Sequence, residues 1–156
     1  MNILALDLAT KTGYALRENG RTFSGVQVCD VKRGESPGMR FVRLTRWLDE
    51  IGANLRTGDL LVYEQAHHRG GAATQCGVGL ATHALSWAAV RGIEHTGVHT
   101  ATLKKWATGS GKGDKAAMIA RARTILGREP LDDNEADAVL LLEYALAEIV
   151  SKEAKQ

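Results

Sequence analysis

Hydrophobic and polar positions divide this chain into an opening set of short strands and a remainder in which helices and strands alternate. Ile3-Leu4-Ala5-Leu6 is an apolar run closed by a charge at Asp7, the pattern of a buried central strand. Residues 3–8, 13–17 and 22–29 read as three strands, with turns at Lys11-Thr12 and Glu18-Asn19-Gly20. Pro37-Gly38 breaks the chain. Beyond it Phe41, Leu44, Trp47, Leu48, Ile51 and Leu55 recur at helical spacing, which predicts an amphipathic helix over 39–55. Residues 60–63 form a fourth strand running into Glu64. Residues 72–90 are rich in small side chains and helical, with Gly77 and Gly79 permitting close contact with a sheet. A fifth strand over 93–98 and a short helix over 101–108 lead to the loop Gly109-Ser110-Gly111-Lys112-Gly113. Asp114 then caps a helix to about residue 126, and 131–150 is the last helix. The order predicts an α/β fold in one domain, residues 1–150, with a frayed tail over 151–156.

Composition changes this picture only through the placement of charge. The 156 residues suit one domain, and a formal net charge of +2 does not by itself argue for a nucleic-acid partner. Between 101 and 128, however, Lys104, Lys105, Lys112, Lys115, Arg121, Arg123 and Arg128 face a single acid, Asp114. A second cluster is Lys32, Arg33, Arg40, Arg43 and Arg46. Clustered positive charge on a near-neutral domain is the footprint of a phosphate-binding face. Cys29 and Cys76 lack a partner motif and read as free thiols of a reducing compartment. No stretch approaches membrane-spanning length, so a cytoplasmic location without a membrane partner is expected.

Candidate chemistry lies in the carboxylates. A lone Asp inside a buried strand is costly to ionise without a partner, and such a charge most often serves a cation. Glu64 ends an apolar strand as Asp7 does. If the first and fourth strands are neighbours, the two converge at one end of the sheet. A helix packed there can bring Asp137 to the same point, with Asp133 and Asn134 on its face and Glu135 pointing elsewhere. One of Asp132 and Asp133 is expected to cap that helix. Acids gathered in this way raise one another's pKa unless a cation holds them. Oxygen donors without a His or Cys set select Mg²⁺, with Mn²⁺ able to substitute. Two such ions, roughly 3.5–4 Å apart, can activate water and stabilise a leaving oxygen in phosphodiester hydrolysis.

These stretches carry a family resemblance. Ile3-Leu4-Ala5-Leu6-Asp7 with Thr12-Gly13-Tyr14, Leu61-Val62-Tyr63-Glu64-Gln65, Leu103-Lys104 through Thr108-Gly109-Ser110-Gly111 to Asp114-Lys115, and Asn134-Glu135-Ala136-Asp137-Ala138 occur in the order found in RuvC-type Holliday-junction resolvases. The chain is similar to a phage-type or divergent member of that group, within the ribonuclease-H-like nuclease superfamily. The resemblance implies a mixed five-stranded sheet flanked by helices. It also implies a dimeric, Mg²⁺-dependent endonuclease that cuts four-way junctions and other branched DNA, leaving a 5′-phosphate and a 3′-hydroxyl. By position Asp7, Glu64 and Asp137 would be metal ligands, and Lys104 and Lys115 would match functional lysines near the phosphates. The fourth ligand is Asn134 through its carbonyl, or Asp133, favoured because a carboxylate binds Mg²⁺ better. Where many relatives carry a stacking aromatic residue, this chain has His67, followed by His68-Arg69; an imidazole can stack on a base and Arg69 can pair a phosphate.

Competing readings are weaker. Gly109–Gly113 lacks the upstream glycine of a Walker loop, and no Ser or Thr follows Lys112, so no nucleotide cofactor is expected; Lys112, with Lys105, instead suits DNA phosphate contact. A sugar- or acetate-kinase fragment would need two lobes and over twice this length. A non-catalytic branched-DNA binder or an RNA-processing relative is argued against by the intact Glu64 and Asp137. The small-residue face of 72–90, with Trp87, serves either a two-fold interface or the core.

Overall fold

The computed structural model describes residues 1–65 and 71–151. β1 (Ile3–Asp7), β2 (Lys11–Glu18), β3 (Arg21–Val28), β4 (Leu60–Gln65) and β5 (Glu94–His99) form one sheet in the order β3-β2-β1-β4-β5. β1 to β3 are an antiparallel meander, while β4 and β5 run parallel to β1 after helical crossovers. The helices are α1 (Met39–Ile51), α2 (Ala72–Val90), α3 (Thr100–Thr108), α4 (Lys115–Leu126) and α5 (Asp133–Tyr144). No helix among the described residues is long and apolar enough to cross a membrane.

Strand alternation assigns each helix its face. Ile3, Ala5, Leu60 and Val62 pack with Leu103 of α3, Met118 of α4 and Leu140 of α5. Leu4, Leu6 and Leu61 pack on the other side with Leu44 and Leu48 of α1 and Leu80 and Trp87 of α2. A central strand buried on both faces explains the unbroken apolar run before Asp7.

Several boundaries differ from the sequence reading, for local reasons. α1 stops at Ile51, and its C-cap Gly52 lies under Trp87, where a Cβ would come within 2.4 Å of the indole; Leu55 reaches the core from the following turn instead. Trp87 is 4% exposed and donates to Asp49 (2.9 Å), so it packs inside its own chain and is no free dimer surface. Gly79 admits α1 rather than the sheet, since a Cβ there would meet Phe41 at 2.6 Å, and Gly77 has no neighbour so close. α5 starts two residues late because Asp132 caps it, accepting from the Glu135 N–H (2.9 Å), and it widens into a π-helical turn over Ala145–Val150. Ser151 closes that turn by donating to the Leu146 carbonyl (2.7 Å); the rest of the predicted tail lies outside the described residues.

Glu135 is the charge that periodicity did not place. It is fully buried, and it accepts from Arg128 (2.6 Å), Ser24 (2.7 Å) and the Leu131 N–H (2.5 Å). Burial pushes its carboxyl up, yet these donors together hold it below the ordinary range. Arg128→Ala strands that charge. It is expected to cost about 3 kcal/mol in urea unfolding, the low end for breaking a buried pair because Arg128 itself is half exposed. A further Glu135→Gln change should recover part of the loss; a cost under about 1 kcal/mol would mean that Ser24 and Leu131 suffice.

Candidate active site

The site forms where the parallel strands end. Asp7 closes β1, and Glu64 lies one step beyond the Leu6–Tyr63 pair on neighbouring β4. Both follow the alternation of Ile3, Ala5, Leu60 and Val62, so both project toward the α5 face. Gly13 sits opposite Asp7 in the β1–β2 register. A Cβ on Gly13 would lie 1.9 Å from the Asn134 carbonyl oxygen, so the start of α5 rests directly on the β2 backbone. That contact brings Asp137, one turn further along α5, to the ends of β1 and β4.

The electrostatics match this placement. Asp7 is mostly buried, and burial first, then Glu64, Asp137, Asp133 and Asp132, hold its carboxyl well above the usual carboxylate range. Burial, Glu64 and Asp133 push Asp137 up to about 7, against the opposing charges of Lys104 and Lys115. Two neighbouring carboxylates are turned to donors of their own. Glu64 accepts from the Thr100 hydroxyl (2.6 Å), and Asp133 pairs with Lys115 (2.5 Å), which holds the acid down and the lysine up. Among the described residues no three Asp, Glu, His or Cys side chains converge closely enough to hold an ion as they stand.

The donor set would nevertheless suit a hard cation: mutually repelling carboxylates, with no His or Cys among them. Asp7, Glu64 and Asp137 are the residues that could hold such an ion. The fourth place falls between Asp133, now paired with Lys115, and Asn134, whose amide donates to Asp132 (3.3 Å).

The predicted lysines lie on the α5 side of the sheet. Lys104 is partly buried on α3, one turn after Thr100; Lys105 and Lys112 are exposed, the latter in the loop that Gly109 starts with a left-handed C-cap on α3. Asp114 caps α4 as expected, accepting from the Ala117 N–H (2.7 Å), and so fixes the base of Lys115. His67 and Arg69 lie outside the described residues. Two features escaped the sequence reading. Thr100 looks like an ordinary helix-start threonine, and only the β4–β5 pairing puts it against Glu64. A groove of about 500 Å³ also reaches Glu64 from the α2 side, lined by Leu8, Thr10, Tyr63, Gln65 and Cys76 among others.

No protein-family model and no curated protein matches this sequence. Solved structures do. Thermus thermophilus RuvC in complex with a Holliday junction substrate superposes with a TM-score of 0.74 at 18% identity, over 90% of each chain. A further Thermus thermophilus RuvC structure gives 0.72 at 19% identity, over 94% of this chain and 96% of that one. Sheet order, helix placement and this likeness agree that the chain has the RuvC-type, ribonuclease-H-like fold.

Proposed function

We propose that this protein is a Mg²⁺-dependent, structure-selective endonuclease, a crossover junction endodeoxyribonuclease that hydrolyses phosphodiester bonds in Holliday junctions and related branched DNA. What supports the reading is the placement of Asp7, Glu64 and Asp137, from β1, β4 and α5, at one end of the sheet, near enough to raise one another's pKa, on a fold similar to that of RuvC. Bound Mg²⁺, two ions per site, would supply an activated water and charge stabilisation at the phosphate.

The chain's own residues have distinct tasks. Asp7, Glu64 and Asp137, with Asp133 or Asn134, provide the oxygen donors. Lys104 and Lys115 bring positive charge to the phosphate flanking the cut, and Lys105 and Lys112 extend that charge along the strand; Lys115 would exchange Asp133 for the phosphate as DNA arrives. By sequence position, His67 would stack at the junction centre and Arg69 would pair a phosphate. Two symmetric cuts call for a homodimer.

A labelled four-way junction incubated with the protein, with Mg²⁺ or with EDTA, tests the reading: paired cuts ending in a 5′-phosphate are expected only with Mg²⁺. Binding without cutting would overturn it in favour of a non-catalytic junction binder. Thr100 provides a finer test, because a hydroxyl that orients a metal-binding carboxylate is commonly worth 10–100-fold in metal affinity or activity. Thr100→Val is expected to raise the Mg²⁺ needed for half-maximal cutting about tenfold, and Thr100→Ser to restore it. An unchanged Mg²⁺ titration in the valine variant would leave Thr100 as packing alone.

A further inference from the structure

The cluster Lys32, Arg33, Arg40, Arg43 and Arg46 is not used by the function proposed above. Its place in the fold is well defined. Lys11 pairs with Val28, and the Cys29 N–H donates to the Thr10 carbonyl (2.7 Å), so β3 ends beside the turn that follows Asp7. The chain then enters α1 on the Leu4 and Leu6 face, whereas Lys104 and Lys115 stand on α3 and α4 over the Ile3 and Ala5 face. The two basic clusters therefore lie at the same end of the sheet on opposite faces, with the carboxylates on the face of Lys104 and Lys115.

The loop before α1 is braced from within. Arg43 donates to the Asp30 carbonyl (2.7 Å) and to Glu35 (2.6 Å), and Glu35 in turn accepts from the Lys32 N–H (2.7 Å). Its one carboxylate pair is thus directed inward. Lys32, Arg33 and Arg46 are exposed, and with Arg40 they form no ion pair among the described residues. Arg40 Nε is buried with no hydrogen-bond partner, and the first turn of α1 holds no acid to balance these charges.

We propose that this braced loop and the first turns of α1 form a second phosphate-binding surface, which grips the DNA backbone on the α1 face while the α3 and α4 lysines grip it on the other. The surface offers cations without base-reading partners, so it contributes affinity and position rather than sequence choice. It rests on the nuclease reading only for the role of DNA as substrate.

The test is the salt dependence of binding. Lys32→Gln/Arg33→Gln/Arg40→Gln is compared with Arg17→Gln/Arg21→Gln/Arg56→Gln, an equal change in charge at the opposite end of the sheet. Affinity for a labelled 20-bp duplex and for a four-way junction is read by anisotropy in EDTA. Each phosphate that the protein no longer neutralises lowers the slope of log K against log salt by about 0.9, so the loop variant should fall by about 2–3 in slope and at least tenfold in affinity. The control should stay within about threefold of wild type. Lys32→Gln/Arg33→Gln, confined to exposed positions, should fall by about 2 in slope and guards against misfolding through Arg40. Equal reductions in loop and control variants, or none in either, would overturn the surface. A wild type that binds but never cuts, with the loop variant released, would overturn the nuclease reading and leave the surface standing.

Discussion

Asp7→Asn is expected to abolish Mg²⁺-dependent junction cutting while making the metal-free protein more stable. Loss of cation-held charge at the phosphate removes several kcal/mol of transition-state stabilisation, and each 1.36 kcal/mol is tenfold, so a drop of about 10³ is expected. The stability gain has a different origin: Asp7 is held well above its ordinary pKa by burial and by its acidic neighbours. A carboxyl whose folded pKa lies above its unfolded value binds more protons folded than unfolded, so stability falls as pH rises through that window. For Asp137, raised from 3.8 to about 7, the same linkage is worth on the order of 2–4 kcal/mol between about pH 4 and pH 7. In EDTA the wild type should therefore lose stability from pH 4.5 to 7.5, and Asp7→Asn and Asp137→Asn should each flatten that slope. Urea unfolding at the two pH values, beside a cleavage assay, reads both effects. An asparagine variant that is less stable than wild type in EDTA, or that still cuts, would remove Asp7 from the site.

Gly13→Ala should be comparably damaging without touching a charge. The added methyl would meet the Asn134 carbonyl oxygen at 1.9 Å and its carbon at 2.2 Å, both backbone atoms of α5 that no side-chain rotation can move aside. Either β2 or the start of α5 must shift by about 1 Å, which carries Asp137 away from Asp7. Overpacking of this kind costs about 1–3 kcal/mol, and a displacement of about 1 Å at a reacting centre can cost about 10²-fold in rate. Thermal melting and the junction assay should show both effects together. Full activity with a normal melting temperature would mean that α5 is not held by this contact.

Features set by neighbouring residues were legible in the sequence. The bounds of α2 and the Asp114 cap depend on small-residue composition and on one side chain three residues from its donor. The convergence of Asp7 and Glu64 was also legible, because both end apolar strands and the strand order makes those strands neighbours. What stayed hidden depends on partners far apart in sequence. Helical spacing turned Glu135 away from Asp137, but its burial is decided by Ser24, 111 residues earlier, and by Arg128. Gly13 read only as the first residue of the second strand, whereas it is the seat of α5. Thr100 met Glu64 only through the register of two parallel strands.

The seating of α5 against β1 and β2 also sets the order of events as the chain is made. Asp7 is made well before Asp137, and the β1–β3 meander can pair as soon as residue 28 has followed. Asp137 emerges only after more than a hundred further residues, on the helix that covers the strands formed first. Domains fold from the N-terminus at synthesis rates of about 5–20 residues per second, so for several seconds the nascent protein holds an acidic strand end with no α5 opposite it. A chain still lacking α5 therefore holds only two of the three carboxylates that the proposed site needs.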